Sequence, residues 1–448
     1  MMVVRECSLH CTIEQPEGQQ GKAQVVVKQS SVHALYEQAL NRQRRSVQAR
    51  GFPRGEVPAS YFEKTYRVNL IEHLKEFLFN HCVANTLYHE IDLQRIVVAG
   101  EPQLSSIDLD PGRDAKFMFT WTQLPLAART HWKELSIKAP DRRNYKDLDK
   151  QVELFLEEET KKTLNFAKEN AINYHDWILF SVSIIDHESH EELLGYHEQL
   201  WLKIGREEID REAQLLFLGK KAGDIFTSSS SLLQGYFCKN LDTDYLFSVE
   251  ILAVVPHSHF SIDRLKNHFG ISTEQDVKRI LIEIFSHRHD ISLRRETVEA
   301  TLKILTKQFP ISLPRQIVHQ QEMYILREVQ RTPDYPVYRL QKDFRSKINL
   351  LAEKQLREAL IVDHISQAEA THIVEEDEIS LMALLQRPRT KEFIHFDLPI
   401  TQKNGQEQPL PSNIIKQLCR RERTLNKLTQ LFSQKGGGHR AARKYARA

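Results

Sequence analysis

The chain has 448 residues, of which 41% are hydrophobic and 27% charged, and its formal net charge is +2. Single hydrophobic cores rarely exceed about 250 residues, so this length predicts several domains, and the composition excludes disordered and fibrous proteins. No apolar run approaches the roughly 20 residues that span a bilayer, and the first residues lack the apolar stretch of a secretory signal. We therefore expect a cytoplasmic protein with no membrane partner.

The cysteines and histidines favour neither a disulfide framework nor a metal site. Five scattered cysteines contain no CxxC pair. Histidines at 187 and 190, 257 and 259, and 287 and 289 are close in sequence, but no third and fourth ligand converge on them. The chain also lacks GxxxxGK[ST], GxGxxG and GxSxG motifs, so we expect no metal, no cofactor, and no nucleotide or serine-esterase chemistry.

Charge distribution is more informative than the net charge. The stretch from 38 to 55 contains no acidic residue and five arginines, Arg42, Arg44, Arg45, Arg50 and Arg54. Such a local excess suits contact with phosphate. A second basic run closes the chain after three glycines at 436–438, which predicts a flexible basic tail over 435–448. That tail either contacts RNA or is only a solvated terminus.

The first third of the chain reads as an α+β unit that ends near Leu124. Alternating apolar residues from Leu9 to Ile13 and from Val25 to Val27 predict a β-hairpin. A helix follows, capped by Ser30 or Ser31, and helical periodicity returns from Ala59 to about His89. Alternation at Phe117, Phe119 and Trp121 then predicts a further strand.

The remainder of the chain divides into three parts. Apolar residues on one face predict a charged helix over 141–170. Residues 176–255 contain short strands (178–185, 198–204 and 245–255), a short helix from about Glu207 and the turn GKKAGD, which together predict a small β-rich domain. After Phe260 the pattern is almost wholly helical.

The loop GFPRGEVP at 51–58 carries the strongest functional signal. Two Gly and two Pro in eight positions exclude regular structure and place Phe52 at an exposed tip. Burying a Phe contributes roughly 1.5–3 kcal/mol, so an exposed one indicates a partner. Alternatively, the loop is a turn whose Phe folds back on its own domain.

This loop resembles the ribosome-binding signature of bacterial trigger factors, Gly-Phe-Arg-x-Gly-x-x-Pro. Gly51, Phe52, Gly55 and Pro58 match it, whereas Pro53 stands where the family has Arg and Arg54 keeps the following basic position. The resemblance implies that these four residues, with Arg45, Arg50 and Arg54, contact proteins and ribosomal RNA at the tunnel exit. The departure at Pro53 bears on the strength of docking.

The resemblance extends over nearly the whole chain, and segments 308–328 and 356–379 are similar to helical parts of trigger factors. It implies an α+β multidomain fold with an α+β ribosome-binding head, a small FKBP-like β-rich domain and a long helical C-terminal domain. The implied boundaries are 1–125 for the head, 126–172 for a linker with a charged helix, 173–257 for the FKBP-like domain, 258–434 for the helical chaperone domain and 435–448 for the basic flexible tail.

The FKBP-like segment keeps a framework turn of the family's peptidyl-prolyl isomerase domain, with matches at Gly219, Lys221, Ala222 and Gly223. Its pocket does not match. Ser181 and Val182 stand where the family has Asp-Phe, and residues 209–213 (Ile-Asp-Arg-Glu-Ala) stand where it has Ile-Pro-Gly-Phe. The matching catalytic residues are therefore unknown and enzymatic activity is uncertain.

The resemblance implies an ATP-independent chaperone that binds unfolded nascent polypeptides, assists folding and export, and forms a possible homodimer off the ribosome. Two alternatives stay open. One is an active isomerase whose pocket is rebuilt from aromatic residues, namely Tyr174, Trp177, Tyr196, Trp201 and Phe217. The other is an RNA-binding or assembly factor that uses the arginine cluster without the tunnel exit.

Overall fold

The structure is a computed structural model. It describes residues 9–445 except 18–19, 48, 50, 54, 124–130, 139–149, 151, 158–170, 238–244, 258–261, 286, 387–393 and 400. Within those residues the fold is a multidomain α+β arrangement with a long helical C-terminal part, which confirms the predicted fold class. Among these residues, no helix combines the length and the apolar character needed to cross a bilayer.

The head is an antiparallel four-stranded sheet, in the order β1-β2-β4-β3, packed against helices. Its elements are β1 (Leu9–Glu17), β2 (Gln20–Val27), α1 (Gln29–Ser46), α2 (Ala59–Leu78), α3 (Ala84–Leu93), β3 (Val98–Asp108) and β4 (Ala115–Gln123). Strict alternation turns Ala23, Val25 and Val27 of β2 into the core, as the sequence predicts for a half-buried strand.

Three details of the head differ from the sequence prediction. Neither Ser30 nor Ser31 caps α1; Lys28 is the N-cap, and the Gln29 amide donates to Asp114 Oδ1 at 2.8 Å. The Asp114 carboxylate, distant in sequence, thus accepts a hydrogen bond from a free amide at the helix N-terminus. The helix dipole favours a negative charge at this end. The second predicted helix passes through a π-helical turn at Phe79–Val83 and ends at Leu93 rather than near His89. Strand β3 was not predicted.

The β-rich unit is an antiparallel five-stranded sheet in the order β11-β6-β5-β8-β7, in which β11 is Leu410–Pro411. Its elements are β5 (Trp177–Ile185), β6 (Glu198–Lys203), α4 (Arg211–Phe217), β7 (Ile225–Ser228), α5 (Ser231–Phe237) and β8 (Leu246–Val255). Every residue of β5 is buried, so both sheet faces are covered.

The C-terminal part supplies the fifth strand of this sheet, which the sequence did not predict. The turn-like segment around Asn404 forms a hairpin of β9 (Gln402–Lys403) and β10 (Gln406–Glu407), and β11 (Leu410–Pro411) then pairs with β6. Asn404 and Gly405 both have positive φ, of 54° and 85°, the combination that a tight type I′ turn requires.

The other C-terminal elements are helices: α6 (Ile262–Phe269), α7 (Glu274–Phe285), α8 (His287–Gln308), α9 (Arg315–Gln330), α10 (Tyr335–Tyr338), α11 (Phe344–Ala368), α12 (Glu375–Leu385) and α13 (Ser412–Tyr445). Residues 435–445, which the sequence predicts as part of a flexible tail, continue helix α13. An established helix lengthens without a new nucleation cost, which offsets the penalty of the three glycines.

One sequence prediction lies largely outside the described residues, and another lies outside them at its last three residues. Of the charged helix predicted over 141–170, only residues 150 and 152–157 are described; they are helical, and Val152 is buried with Leu265 and Phe269. Of the basic tail, residues 446–448 are not described.

The head packs directly on the β-rich unit. His73 of α2 contacts Tyr245 Oη at 3.1 Å, and His81 Nδ1 lies 3.3 Å from Glu198 Oε2, with all four side chains buried. Burial lowers the pKa of His73 to about 4, because a charged imidazole loses its hydration there. The two units therefore share one continuous core.

Candidate functional site

The loop between α1 and α2 is shaped by two glycine turns. The Phe52 amide donates to Ala49 O at 3.1 Å and the Glu56 amide donates to Pro53 O at 3.1 Å. Gly51 and Gly55, at the third position of each turn, have φ of 90° and 85°. That left-handed conformation is the one a type II turn requires at this position, which explains both glycines.

Phe52 is half-buried rather than fully exposed. Its ring lies 5.2 Å from that of Tyr61, centroid to centroid, and it packs against the head core. The expectation of a bare Phe at the tip is therefore wrong in part, because Tyr61 on the first turn of α2 covers one side of the ring. Pro58 is the exposed N-cap of α2.

The arginines around this loop are placed only in part. Arg45 is exposed, and its carbonyl lies close to Gly55. Arg50 and Arg54 lie outside the described residues. The structure thus brings Gly51, Phe52, Gly55 and Arg45 together at one end of the head.

A second candidate surface is the helical hairpin α9–α10–α11, which we call the arm. Its two long helices are joined by Val318, Ile325 and Ala352, and by a hydrogen bond from Gln321 to Gln355 at 2.9 Å. At its base Ile317 packs on Ala99 of β3, so the arm starts from the head.

The far part of the arm exposes an unusual share of apolar side chains. Of eighteen exposed large hydrophobic residues in the described chain, seven fall within residues 323–351. They are Met323, Tyr324, Val337, Tyr338, Leu340, Leu350 and Leu351. Leu340 is 79% exposed, Leu350 66% and Val337 64%. Clustered exposed apolar residues mark interaction surfaces.

Sequence reasoning missed this surface, because periodicity does not distinguish an exposed apolar face from a core face. The available signal was local: prolines at 333 and 336 interrupt the helical pattern, so Val337, Tyr338 and Leu340 fall outside any long amphipathic helix.

Comparison with known proteins finds a family match for about the first third of the chain. Residues 9–158 match the family model described as "Bacterial trigger factor protein (TF)". This segment includes the head and the loop at 51–58. This part of the chain is similar to the bacterial trigger factors.

Several curated trigger factors align with it at low identity. That of Methylobacterium sp. (strain 4-46) is 22% identical, over 70% of this chain and 66% of its own length. The Pasteurella multocida (strain Pm70) trigger factor is 23% identical, over 51% of this chain and 52% of its own. That of Clostridium beijerinckii is 19% identical, over 80% and 85%. The chain thus spans about half to two thirds of the length of the first two relatives.

A structure solved in a study of substrate recognition by the trigger factor chaperone also aligns. It covers 94% of this chain and 99% of its own, with 14% identity and a TM-score of 0.34.

The resemblance to trigger factors places Ser181, Val182 and residues 209–213 at the positions of an isomerase pocket. Ser181 and Val182 are buried within the fully covered strand β5. Asp210 is 2% exposed and accepts a hydrogen bond from the Glu407 amide at 2.9 Å, so it fixes the C-terminal hairpin onto the β-rich unit. Ala213 is buried, whereas Ile209 is half exposed.

The five aromatic residues proposed for a rebuilt pocket do not converge. Trp177 and Trp201 face the core formed with α12 and α13, whereas Phe217 belongs to the core on the other side of the sheet. Tyr174 is 45% exposed. A single aromatic cradle cannot be assembled from side chains that the sheet separates.

The turn GKKAGD, for which the resemblance implies a framework role, lies between α4 and β7. Gly219 and Gly223 have φ of 78° and 89°, which other residues rarely adopt. The Lys221 amide donates to Asp224 Oδ2 at 2.8 Å and the Gly223 amide to Ile251 O at 2.7 Å. Lys221 and Ala222 are exposed at the turn.

Among the described residues, no group of three or more His, Cys, Asp or Glu side chains is arranged to hold a metal ion. Next to the histidines at 187 and 190, the Asp186 carboxylate accepts hydrogen bonds from the Ser189 and Glu188 amides, at 2.8 and 2.9 Å. These contacts hold pKa of Asp186 below its ordinary value.

Proposed function

We propose that this protein is a chaperone of the trigger-factor type, in which the arm binds apolar segments of unfolded polypeptides without ATP. The observation that carries the proposal is the cluster of exposed apolar side chains between 323 and 351. Leu340 and Leu350 would each contribute roughly 1.5–3 kcal/mol when a client covers them fully.

The physical character of such binding follows from the costs of association. Several small apolar contacts must offset the lost translational and conformational entropy of the client, so binding is weak and reversible. The buried cluster of Val318, Ile325 and Ala352 holds the two long helices of the arm together, so packing within the arm supports the exposed surface. Nucleotide hydrolysis is not needed for release.

The double substitution Leu340→Ser and Leu350→Ser should weaken binding of an unfolded client by tenfold or more, because about 2 kcal/mol or more of apolar burial is lost. The measurement is the concentration of chain that half-suppresses aggregation of a chemically denatured reporter protein.

The matched control is Leu215→Ser, since Leu215 is 71% exposed on α4, outside the arm. Substitutions at such exposed positions usually change the free energy of unfolding by less than about 0.5 kcal/mol. The arm variant and the control should therefore both fold. Full suppression by the arm variant, or equal losses in both, would exclude the arm as the client surface.

We further propose that the loop at 51–58 docks the head to the ribosomal tunnel exit. Support comes from the match of residues 9–158 to the trigger factor model and from the left-handed glycines that hold Phe52 at the end of the head. Tyr61 and Phe52 would form one apolar contact, with Arg45, Arg50 and Arg54 available to ribosomal RNA and with Pro58 ending the loop.

The remaining parts of the proposal follow the family resemblance. The head over 1–125, the linker over 126–172, the FKBP-like unit over 173–257 and the helical part from 258 keep their proposed boundaries. The FKBP-like unit serves as framework, with its turn at Gly219, Lys221, Ala222 and Gly223. Cytoplasmic location, a role in export and dimerisation off the ribosome belong to the same proposal.

The substitution Phe52→Ala should reduce cosedimentation with vacant ribosomes by about tenfold or more, since it removes most of the apolar contact. Arg54→Ala should reduce it as well, and raising salt should weaken binding of the unsubstituted chain, because phosphate contacts release counterions.

The control for charge is Arg113→Ala, which removes an exposed arginine of the head that pairs with Asp108. Binding of unrelated structured RNA with the same affinity, together with insensitivity to Phe52→Ala, would instead support a general RNA-binding factor.

A further inference from the structure

The end of the arm contains a small pocket lined by aromatic rings and by charged residues that are all positive. Its volume is about 240 Å³, and its lining includes Leu326, Tyr335, Arg339, Lys342, Phe344 and Arg345. No acidic residue lines it. The apolar and cationic groups come from the end of α9, from α10, from the connection at 339–343 and from the start of α11.

The apolar part of the pocket is formed by two rings at an angle. The Tyr335 and Phe344 rings lie 6.3 Å apart with an interplanar angle of 62°. The Arg339 guanidinium stands 5.9 Å from the centre of the Tyr335 ring. An apolar side chain that enters between the rings would therefore lie beside a cation.

The surrounding charge reinforces this character. Residues 326–347 contain six Arg or Lys and three Asp or Glu, a net charge of +3. Two of the three acids are engaged by cations outside the pocket: Glu328 with Arg331 at 3.4 Å and Asp343 with Lys347 at 3.0 Å. The cations of the pocket itself thus face the solvent without a lining carboxylate.

We infer that this pocket selects apolar segments flanked by carboxylates, so that clients rich in Asp or Glu beside Phe or Leu are preferred. The inference rests on the proposed role of the arm and specifies the chemistry of what it binds. An aromatic or aliphatic side chain fills the space between Tyr335 and Phe344. A neighbouring carboxylate then meets Arg339, Lys342 and Arg345, of which the arginines favour paired hydrogen bonds to carboxylate oxygens.

The test measures fluorescence anisotropy of labelled peptides with the full chain. Three amidated peptides share the core Phe-Leu-Leu and carry two Glu, two Gln or two Lys on each side. A fourth has Gln flanks and a free C-terminal carboxylate, which distinguishes a terminal from a side-chain source. We expect the Glu-flanked peptide to bind about tenfold more tightly than the Lys-flanked one, with a difference that shrinks at high salt.

The double substitution Lys342→Glu and Arg345→Glu should reverse this order. The matched control is Arg315→Glu, a charge reversal at the first residue of α9, about 22 Å along the helix from Gln330 and so beyond the reach of screened charges. It should leave the order unchanged, and circular dichroism of each variant verifies folding.

Equal affinities for all flanks, or an order that the pocket variant leaves intact, would overturn the charge preference while leaving the arm as a client surface. If no peptide binds, the proposed role of the arm falls with it. A single-stranded RNA oligomer that binds more tightly than the Glu-flanked peptide, and loses binding in the pocket variant, would make the pocket an RNA contact and overturn the inference.

Discussion

Replacing Glu378 by alanine should lower the free energy of unfolding by about 3 kcal/mol, because two buried donors lose their acceptor and a cavity opens. Glu378 is 1% exposed. Its Oε2 accepts hydrogen bonds from Trp201 Nε1 at 3.0 Å and from Ser412 Oγ at 2.7 Å. One carboxylate thus connects β6 of the β-rich sheet, helix α12 and the start of α13.

Burial raises the pKa of Glu378, and the hydrogen bonds from Ser412 and Trp201 oppose that rise.

The measurement for Glu378→Ala is the urea midpoint of unfolding, followed by tryptophan fluorescence, since Trp201 lies at the site. Glu378→Gln keeps an acceptor oxygen and should cost less than Glu378→Ala. Glu375→Ala, an exposed change on the same helix, should cost less than about 1 kcal/mol. Equal midpoints for Glu375→Ala and Glu378→Ala would show that this connection does not hold the sheet to the helices.

The second large effect should come from Gly205→Ala, with a loss of about 2–4 kcal/mol from overpacking and a broken buried hydrogen bond. A Cβ at this position would lie 1.8 Å from Asp210 Oδ2, a distance that no contact tolerates. Asp210 has no room to remain where it accepts the Glu407 amide. The C-terminal hairpin should therefore loosen from the β-rich unit.

Hydrogen exchange reports this directly, as faster exchange of amides in β10 and β11. Gly235→Ala is the matched control, because a Cβ there would meet nothing within 4 Å and the residue lies in helix α5. It should be neutral or slightly stabilising. Unchanged protection of β10 and β11 in Gly205→Ala would mean that Asp210 has another position from which to hold the hairpin.

Both predictions follow from the way the C-terminal segment completes the β-rich sheet. Strand β11 pairs with β6 at Leu410 and Trp201, and Gln386 Nε2 donates to Val255 O at 2.9 Å. A fragment limited to residues 176–255 would lack these contacts. An isomerase assay on prolyl peptides should therefore use the full chain. Phe217 and Trp201 lie on opposite faces of the sheet, so we expect no aromatic pocket that both residues share.

The secondary structure of the head and of the β-rich unit was largely predictable, because alternation and helical periodicity arise from burial on one face. Strand β5 was found from its apolar run, and β8 was predicted over 245–255 and observed over Leu246–Val255. Strand β3 was missed, since its burial alternates poorly and prolines and serines interrupt its apolar pattern. The two-residue strand β11 has no periodicity to detect.

The sequence by itself determined the loop at 51–58, since only glycine adopts positive φ freely at Gly51 and Gly55, and these turns close within a few residues. It equally determined the α+β order and the family resemblance. Only the tertiary structure decided that Phe52 rests on Tyr61, that Asp210 holds the hairpin of Glu407, and that the apolar residues at 337–351 remain outside the core. The physical reason is that these features depend on contacts between distant segments, and local periodicity is the same whether a face meets another helix or solvent.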